Sequence, residues 1–171
     1  MIDSRKFLGI HHGGRAVVMG LGASTNEIIR RDLSGFVTIG VNDIGAVYQP
    51  RYLLTLDTPE SLDRSMKGKY DRSSHVVNTE AEYLFVPDNM RAWDAFEQLN
   101  DRIVGIRLGD RSLRGIDDDV TYDYSCNSPY VAAILAYRMG CESIGLIGVD
   151  FTDDHCHAND GEHELVRSGR L

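Results

Sequence analysis

Disulfide chemistry has little to work with in this chain: its three cysteines, Cys126, Cys141 and Cys156, are odd in number and form no CxxC pair. A disulfide framework is therefore not expected. No apolar run approaches the roughly 20 residues that cross a bilayer. The opening Met1-Ile2-Asp3-Ser4-Arg5-Lys6 leads into no apolar segment of the secretory kind, so the cytoplasm is the default expectation. Basic excess is missing as well. A formal net charge of -8 argues against a broad nucleic-acid surface, which needs a basic face to displace counterions. A local phosphate site stays open, because backbone N–H groups bind phosphate without help from net charge. What is present is ordinary for a globular protein: 42% apolar residues, 26% charged, and 171 residues in all, enough for one domain.

Short apolar runs alternate with helix-like stretches, the pattern of stacked β-α units. Ala16-Val17-Val18-Met19 stops at Gly20-Leu21-Gly22, and a helix-like segment follows from Asn26 to Asp32, with Ser24, Thr25 or Asn26 as cap. Phe36 to Val41 ends at Asn42-Asp43. Tyr52 to Leu56 ends at Asp57, after which Thr58 caps a helix with Pro59 in its first turn. Each run meets a glycine or a polar residue at its carboxyl end, where open α/β sheets place their ligands. The fold expected is α/β, a Rossmann-like three-layer sandwich with a mainly parallel sheet.

The middle of the chain reads less regularly. His75-Val76-Val77, Tyr83 to Val86 and Ile103 to Ile106 have the character of strands, Met90 to Leu99 that of a short helix, and Asp117-Asp118-Asp119 that of a solvated turn rather than a metal cluster. The last third is clearer. Pro129 to Met139 reads as a helix capped by Asn127 or Ser128, with Val131, Ile134 and Leu135 on one face and Gly140 closing it. Ser143 to Val149 reads as a buried strand that delivers Asp150. No repeat, linker or low-complexity tract divides the chain.

Four groups of residues could carry chemistry. Gly20, Gly22, Ala23 and Ser24 lie between a strand and a helix, where glycines let a ligand approach the backbone and the helix start offers free N–H donors. The GxG is short and lacks the third glycine of the dinucleotide fingerprint, so a tight turn with no ligand explains it equally well. Ser125, Asn127 and Ser128 crowd the start of the late helix. Capping accounts for one of them and an anion or ribose site for the cluster. Asn42, Asp43, Asp57 and Asp150 follow three strands and would converge on one rim, able to hydrogen-bond ribose or hold Mg²⁺; turn and cap formation accounts for any one of them. Asp153 to Asp160, with His155, His157 and His163, reads better as a polar loop than as a zinc site, since His155 and His157 lack helical spacing. His155 or His157 could still act as acid or base near neutral pH. His11-His12 reads as an exposed lead-in to the first strand.

Three blocks taken together resemble a family. Gly9 to Ser24, Ile39 to Asp43 with Gln49 to Asp57, and Tyr124 to Phe151 are similar to bacterial surface-polysaccharide proteins described as 6-hydroxymethylpterin diphosphokinase-like. The last block is also similar to the small bacterial sialyltransferases, which use a CMP-activated sugar. The resemblance covers roughly residues 7–57 and 122–165. It implies that Gly20, Gly22, Ser24, Asn42, Ser125, Asn127 and Ser128 contact a nucleotide, with Asp57 and Asp150 as rim acids. Two departures stand out. Ala23 replaces the proline usual in the family's turn, and the chain stops at Leu171 where the family continues, which implies a minimal or shortened member.

The leading expectation is a glycosyltransferase-like enzyme using a CMP-sugar, with a carboxylate such as Asp150 or a tail histidine taking the acceptor's proton and no metal required. One alternative is pyrophosphoryl transfer from ATP to a pterin alcohol, which brings in Mg²⁺ on Asp57 and Asp150. Another is a nucleotide-binding module without turnover. The partners expected are a nucleotide or nucleotide-sugar, with no nucleic acid and no membrane span; a homodimer is suggested only by the frequency of such assemblies.

Overall fold

A computed structural model describes residues 2–28, 30–65, 71–90, 98–99, 101–109, 121–123 and 127–150. Its strands are β1 (Ile2–Asp3), β2 (Arg15–Met19), β3 (Val37–Val41), β4 (Tyr52–Leu54), β5 (Tyr83–Pro87), β6 (Ile103–Leu108), β7 (Thr121–Tyr122) and β8 (Ser143–Ile147). The helices are α1 (Thr25–Ile28), α2 (Pro59–Ser65), α3 (Arg72–Val77) and α4 (Ser128–Arg138), with 3-10 turns at Ser4–Phe7, Asn42–Ala46 and Asp88–Met90. The strands lie in the order β1-β6-β5-β4-β3-β2-β8, with β7 beside the end of β6, and every pairing is parallel. This is the mainly parallel α/β architecture that the alternating runs predict.

Side-chain alternation along the strands builds a core on each face of the sheet. Ala16, Val18, Ile39, Tyr52, Leu54, Phe85, Val104 and Ile106 pack on the α4 face. Val17, Met19, Leu53, Leu84, Val86 and Ile103 pack on the other, with Leu62 of α2 and Val76 of α3. On the α4 face Phe7 sits edge-on to Tyr83 and Phe85, with ring centroids 4.8 and 5.0 Å away. Each fully buried Leu, Ile or Phe of this kind contributes about 1.5–3 kcal/mol relative to exposure.

The best-specified helix is α4. Asn127 caps it, its carboxamide oxygen accepting the Tyr130 N–H at 3.1 Å. Pro129 stands in the first turn, and Gly140 closes the helix at φ +87°, a conformation glycine adopts without a Cβ penalty. Thr58 caps α2 in the expected way, its Oγ1 accepting from the Ser61 N–H at 3.2 Å.

Four expectations need correction. His75-Val76-Val77 is not a strand but the last half of α3. Asp71 accepts from the Ser74 N–H at 3.0 Å, and this cap together with the burial of Val76 outweighs the β preference of paired valines. The helix expected over residues 26–32 is a single turn, Thr25–Ile28, and Phe36 turns back on Leu33 before β3 begins. Ser143 to Val149 is not a buried strand: β8 ends at Ile147, pairs with β2 alone among the described residues, and leaves Leu146 56% exposed. His11 is not a free lead-in residue. Its Nε2 lies 2.8 Å from the hydroxyl of buried Tyr52, and burial, then the nearby Arg51 charge, lowers its pKa from the ordinary imidazole value.

Most of the helix expected over Met90 to Leu99 lies outside the described residues, as do Asp117 to Asp119.

Candidate functional site

Strands β2 to β6 are laid side by side in chain order, and α4 then carries the chain back across β3 and β2 to place β8 on the far side of β2. The order of strands therefore reverses at β2. In open parallel sheets the crevice beyond the carboxyl ends at such a reversal is where ligands bind.

The end of α4 fixes where its start must lie. Gly9 N–H donates to the Arg138 carbonyl at 2.8 Å, His11 N–H to Met139 at 2.7 Å and Gly13 N–H to Gly140 at 3.1 Å. The carboxyl end of α4 is thus tied to the turn that leads into β2. Eleven helical residues reach about 16 Å, and five strand residues reach about the same length. Asn127 and Ser128 are consequently level with Gly20 at the opposite end of β2. The glycine turn and the start of α4 share one rim.

Within the crevice the two glycine-bearing strand ends are locked together. Gly20 N–H donates to Ile147 at 2.7 Å and Gly22 N–H to Gly148 at 2.8 Å, continuing the β2–β8 ladder past both strands. The glycines are needed for this approach. A Cβ on Gly22 would stand 2.5 Å from Asp150 Oδ2 and 2.9 Å from the Gly148 carbonyl, and one on Gly20 would overlap that carbonyl too. Gly148 has φ +70°, and a side chain there would run into the Thr25 hydroxyl.

Ser24 completes the lock. Its Oγ accepts the Gly148 N–H at 2.9 Å and donates to Asp150 Oδ1, while its own N–H donates to Asp150 Oδ2 at 2.7 Å. The Asp150 carboxylate therefore occupies the donor that the start of α1 would offer a phosphate. Since α1 is one turn long, it has little dipole to add. Asp150 is an internal ligand of the glycine turn, with both oxygens engaged. Ala23 sits in this turn, half-buried, between Gly22 and Ser24.

The neighbouring part of the rim is arranged differently. Asn42 leaves β3 with φ +50°, the one positive φ at a non-glycine residue among those described; asparagine tolerates this region better than most residues. Its side-chain carbonyl accepts the Thr55 hydroxyl at 3.2 Å, and the Asp57 N–H donates to the same hydroxyl at 3.3 Å. The Asn42 side-chain NH₂ has no hydrogen-bond partner among the described residues. Asp57, half-exposed, receives the Ser61 hydroxyl at 3.4 Å. Thr55 carried no signal in sequence, because its role comes from pairing β4 beside β3.

Asp43, expected beside Asn42 as a ligand contact, is not at the surface. It is fully buried, with Oδ1 2.6 Å from Nη2 of Arg72, which is 5% exposed. Its carboxylate anchors the turn after β3 to α3 and is not available to a nucleotide. Asn127 is spent in part on capping α4. Ser125, His155 and His157 lie outside the described residues.

No family model, curated protein or solved structure matches this chain. No group of three or more metal-ligating side chains occurs among the described residues. Asp57 and Asp150 follow β4 and β8, which stand three strand spacings apart, about 14 Å. One Mg²⁺, with ligands at about 2.1 Å, does not bridge strand ends so far apart. Among the described residues no helix is long and apolar enough to cross a membrane.

Proposed function

We propose that the chain binds a nucleotide-activated group on the carboxyl rim from β2 to β4, and that it acts as a glycosyltransferase-like enzyme on a CMP-activated sugar. One observation carries the reading: Asn42 is held in a left-handed conformation at the rim with its carbonyl oxygen bonded to Thr55 and its NH₂ uncommitted among the described residues. Backbone in a sparsely populated conformation is retained where the surroundings enforce it, and such residues concentrate at binding sites. The resemblance of the residue 124–151 block to the small bacterial sialyltransferases supplies the choice of donor.

In this reading Asn42 donates to an acceptor atom of the nucleotide, and the start of α4 faces its phosphate with a partial positive charge. The acceptor's hydroxyl oxygen forms a bond to the anomeric carbon while the bond from that carbon to the CMP phosphate oxygen breaks; the electron pair leaves with CMP. The acceptor's proton passes to a base, for which His155 or His157 is suited near neutral pH. Asp150, with both oxygens on Ser24, orders the glycine turn.

That commitment of Asp150 also favours a second reading, a nucleotide-binding module without turnover. Pyrophosphoryl transfer is less favoured, because Asp150, one of the two carboxylates it assigns to Mg²⁺, is bonded through both oxygens to Ser24.

Thermal denaturation with CMP, UDP, GDP and ATP, each with and without Mg²⁺, tests the proposal. At a hundredfold excess over Kd, a ligand stabilises by about 2.7 kcal/mol, roughly 5–10 °C for a domain of this size. CMP is expected to give that shift without Mg²⁺. A response to ATP alone, strictly dependent on Mg²⁺, overturns the choice of nucleotide. A CMP shift with no CMP-sugar consumption when acceptors are supplied selects the module.

A further inference from the structure

We propose that Arg72 is a positioning residue: through its ion pair with Asp43 it holds Asn42 left-handed and presents the Asn42 amide to the ligand. The ligand part of this inference rests on the reading of Asn42 given above; the positioning part stands on geometry alone.

Val41 leaves the sheet extended, at φ -120° and ψ 148°, held in register by β4. One residue past Asn42, the Asp43 carboxylate is pulled into the interior by the guanidinium 2.6 Å away. Ile44 is then seated under Gly40, where any Cβ would overlap its methyl. With the chain fixed on both sides, Asn42 must make the turn, and it does so at φ +50°.

Arg72 is itself firmly placed. It opens α3, which Asp71 caps, and the next residue, Ser73, donates its N–H and hydroxyl to Asp63 of α2 at 2.9 and 2.8 Å. The carboxylate, guanidinium, α3 and α2 thus form a continuous support beneath the rim.

Apolar packing could have secured this turn as well. Replacing a buried ion pair by well-packed apolar residues is often neutral or stabilising. Retaining a charged pair here is therefore better explained by directional control of the adjacent residue than by stability. Arginine suits that task because its planar fork fixes the direction of approach.

The experiment compares wild type, Arg72→Lys and the neutral double variant Asp43→Asn/Arg72→Gln. Two quantities are read: the scalar coupling between amide and α protons of Asn42, which reports φ, and the CMP dissociation constant from calorimetry. In the double variant the coupling is expected to move away from its left-handed value and CMP affinity to fall about tenfold or more. Arg72→Lys, which keeps the charge but loses the fork, is expected to shift the coupling part-way and weaken CMP about threefold; it serves as the deciding variant if the double variant does not fold. An unchanged coupling in the folded variants overturns the positioning role, whatever happens to affinity. A changed coupling with no CMP binding even by wild type leaves Arg72 as the support of Asn42 and removes the ligand instead.

Discussion

The rim has two neighbouring parts that reach opposite solutions. Between β2 and β8, Gly20, Gly22 and Gly148 bring two strand ends into direct hydrogen-bonded contact, and Ser24 and Asp150 close the remaining gap. Between β3 and β4, the Thr55 hydroxyl links the Asn42 side chain to the Asp57 backbone N–H, with an amide donor left over. The first part is filled by the protein itself; the second retains polar groups able to meet a ligand. Glycines in a β-α turn allow close approach of something, and here what approaches is the chain's own neighbouring strand end. Close approach is a steric property and does not name the partner.

Substitutions distinguish the two parts. The largest effect is expected at Asp43. Asp43→Ala leaves the buried Arg72 guanidinium without its carboxylate, which typically costs about 3–5 kcal/mol, read as a shift of the urea unfolding midpoint at unchanged slope. A loss under about 1 kcal/mol would mean that water reaches the pair and that the β3 turn is not anchored from below. A somewhat smaller loss is expected for Gly148→Ala. A left-handed φ costs a non-glycine residue about 1–2 kcal/mol, and overlap with the Thr25 hydroxyl adds about 1–3 kcal/mol. If Gly148→Ala unfolds at the wild-type midpoint, the β2–β8 crevice is not tightly closed and the contrast between the two parts disappears.

Much of the fold is legible in the sequence. Ala16 to Met19, Phe36 to Val41 and Tyr83 to Val86 announce strands because a parallel sheet buries both faces and so needs continuous apolar runs. The α4 helix declares both its ends, through Asn127 with Pro129 and through Gly140. Strand order is a different matter. Ser143 to Ile147 has the composition of a central strand, and nothing local says that among the described residues it pairs with β2 alone. His75-Val76-Val77 misleads because β-branched residues favour strands only when tertiary context leaves the choice open; Asp71 and Ser74 decide it for the helix.

The site was legible as a set of strand ends and not as a set of contacts. Asn42 and Asp43 are adjacent and polar, yet one stands at the rim and the other beneath it, because Arg72, 29 positions away, claims the second. Asp150 could be placed at the end of a strand, but not bonded to Ser24, 126 positions earlier. Partners so far apart in sequence are set by topology, and single residues carry no trace of them.

The most direct measurement is a titration of the isotopically labelled protein with CMP, followed through the backbone amide and asparagine side-chain resonances. The largest shifts are expected at Asn42, including its side-chain NH₂, and at Thr55 and Asp57, with smaller ones at Ser24 and Ser128. Shifts concentrated instead at the opposite end of the sheet, around His11 to Gly13, or none at millimolar CMP, would contradict a nucleotide site on this rim.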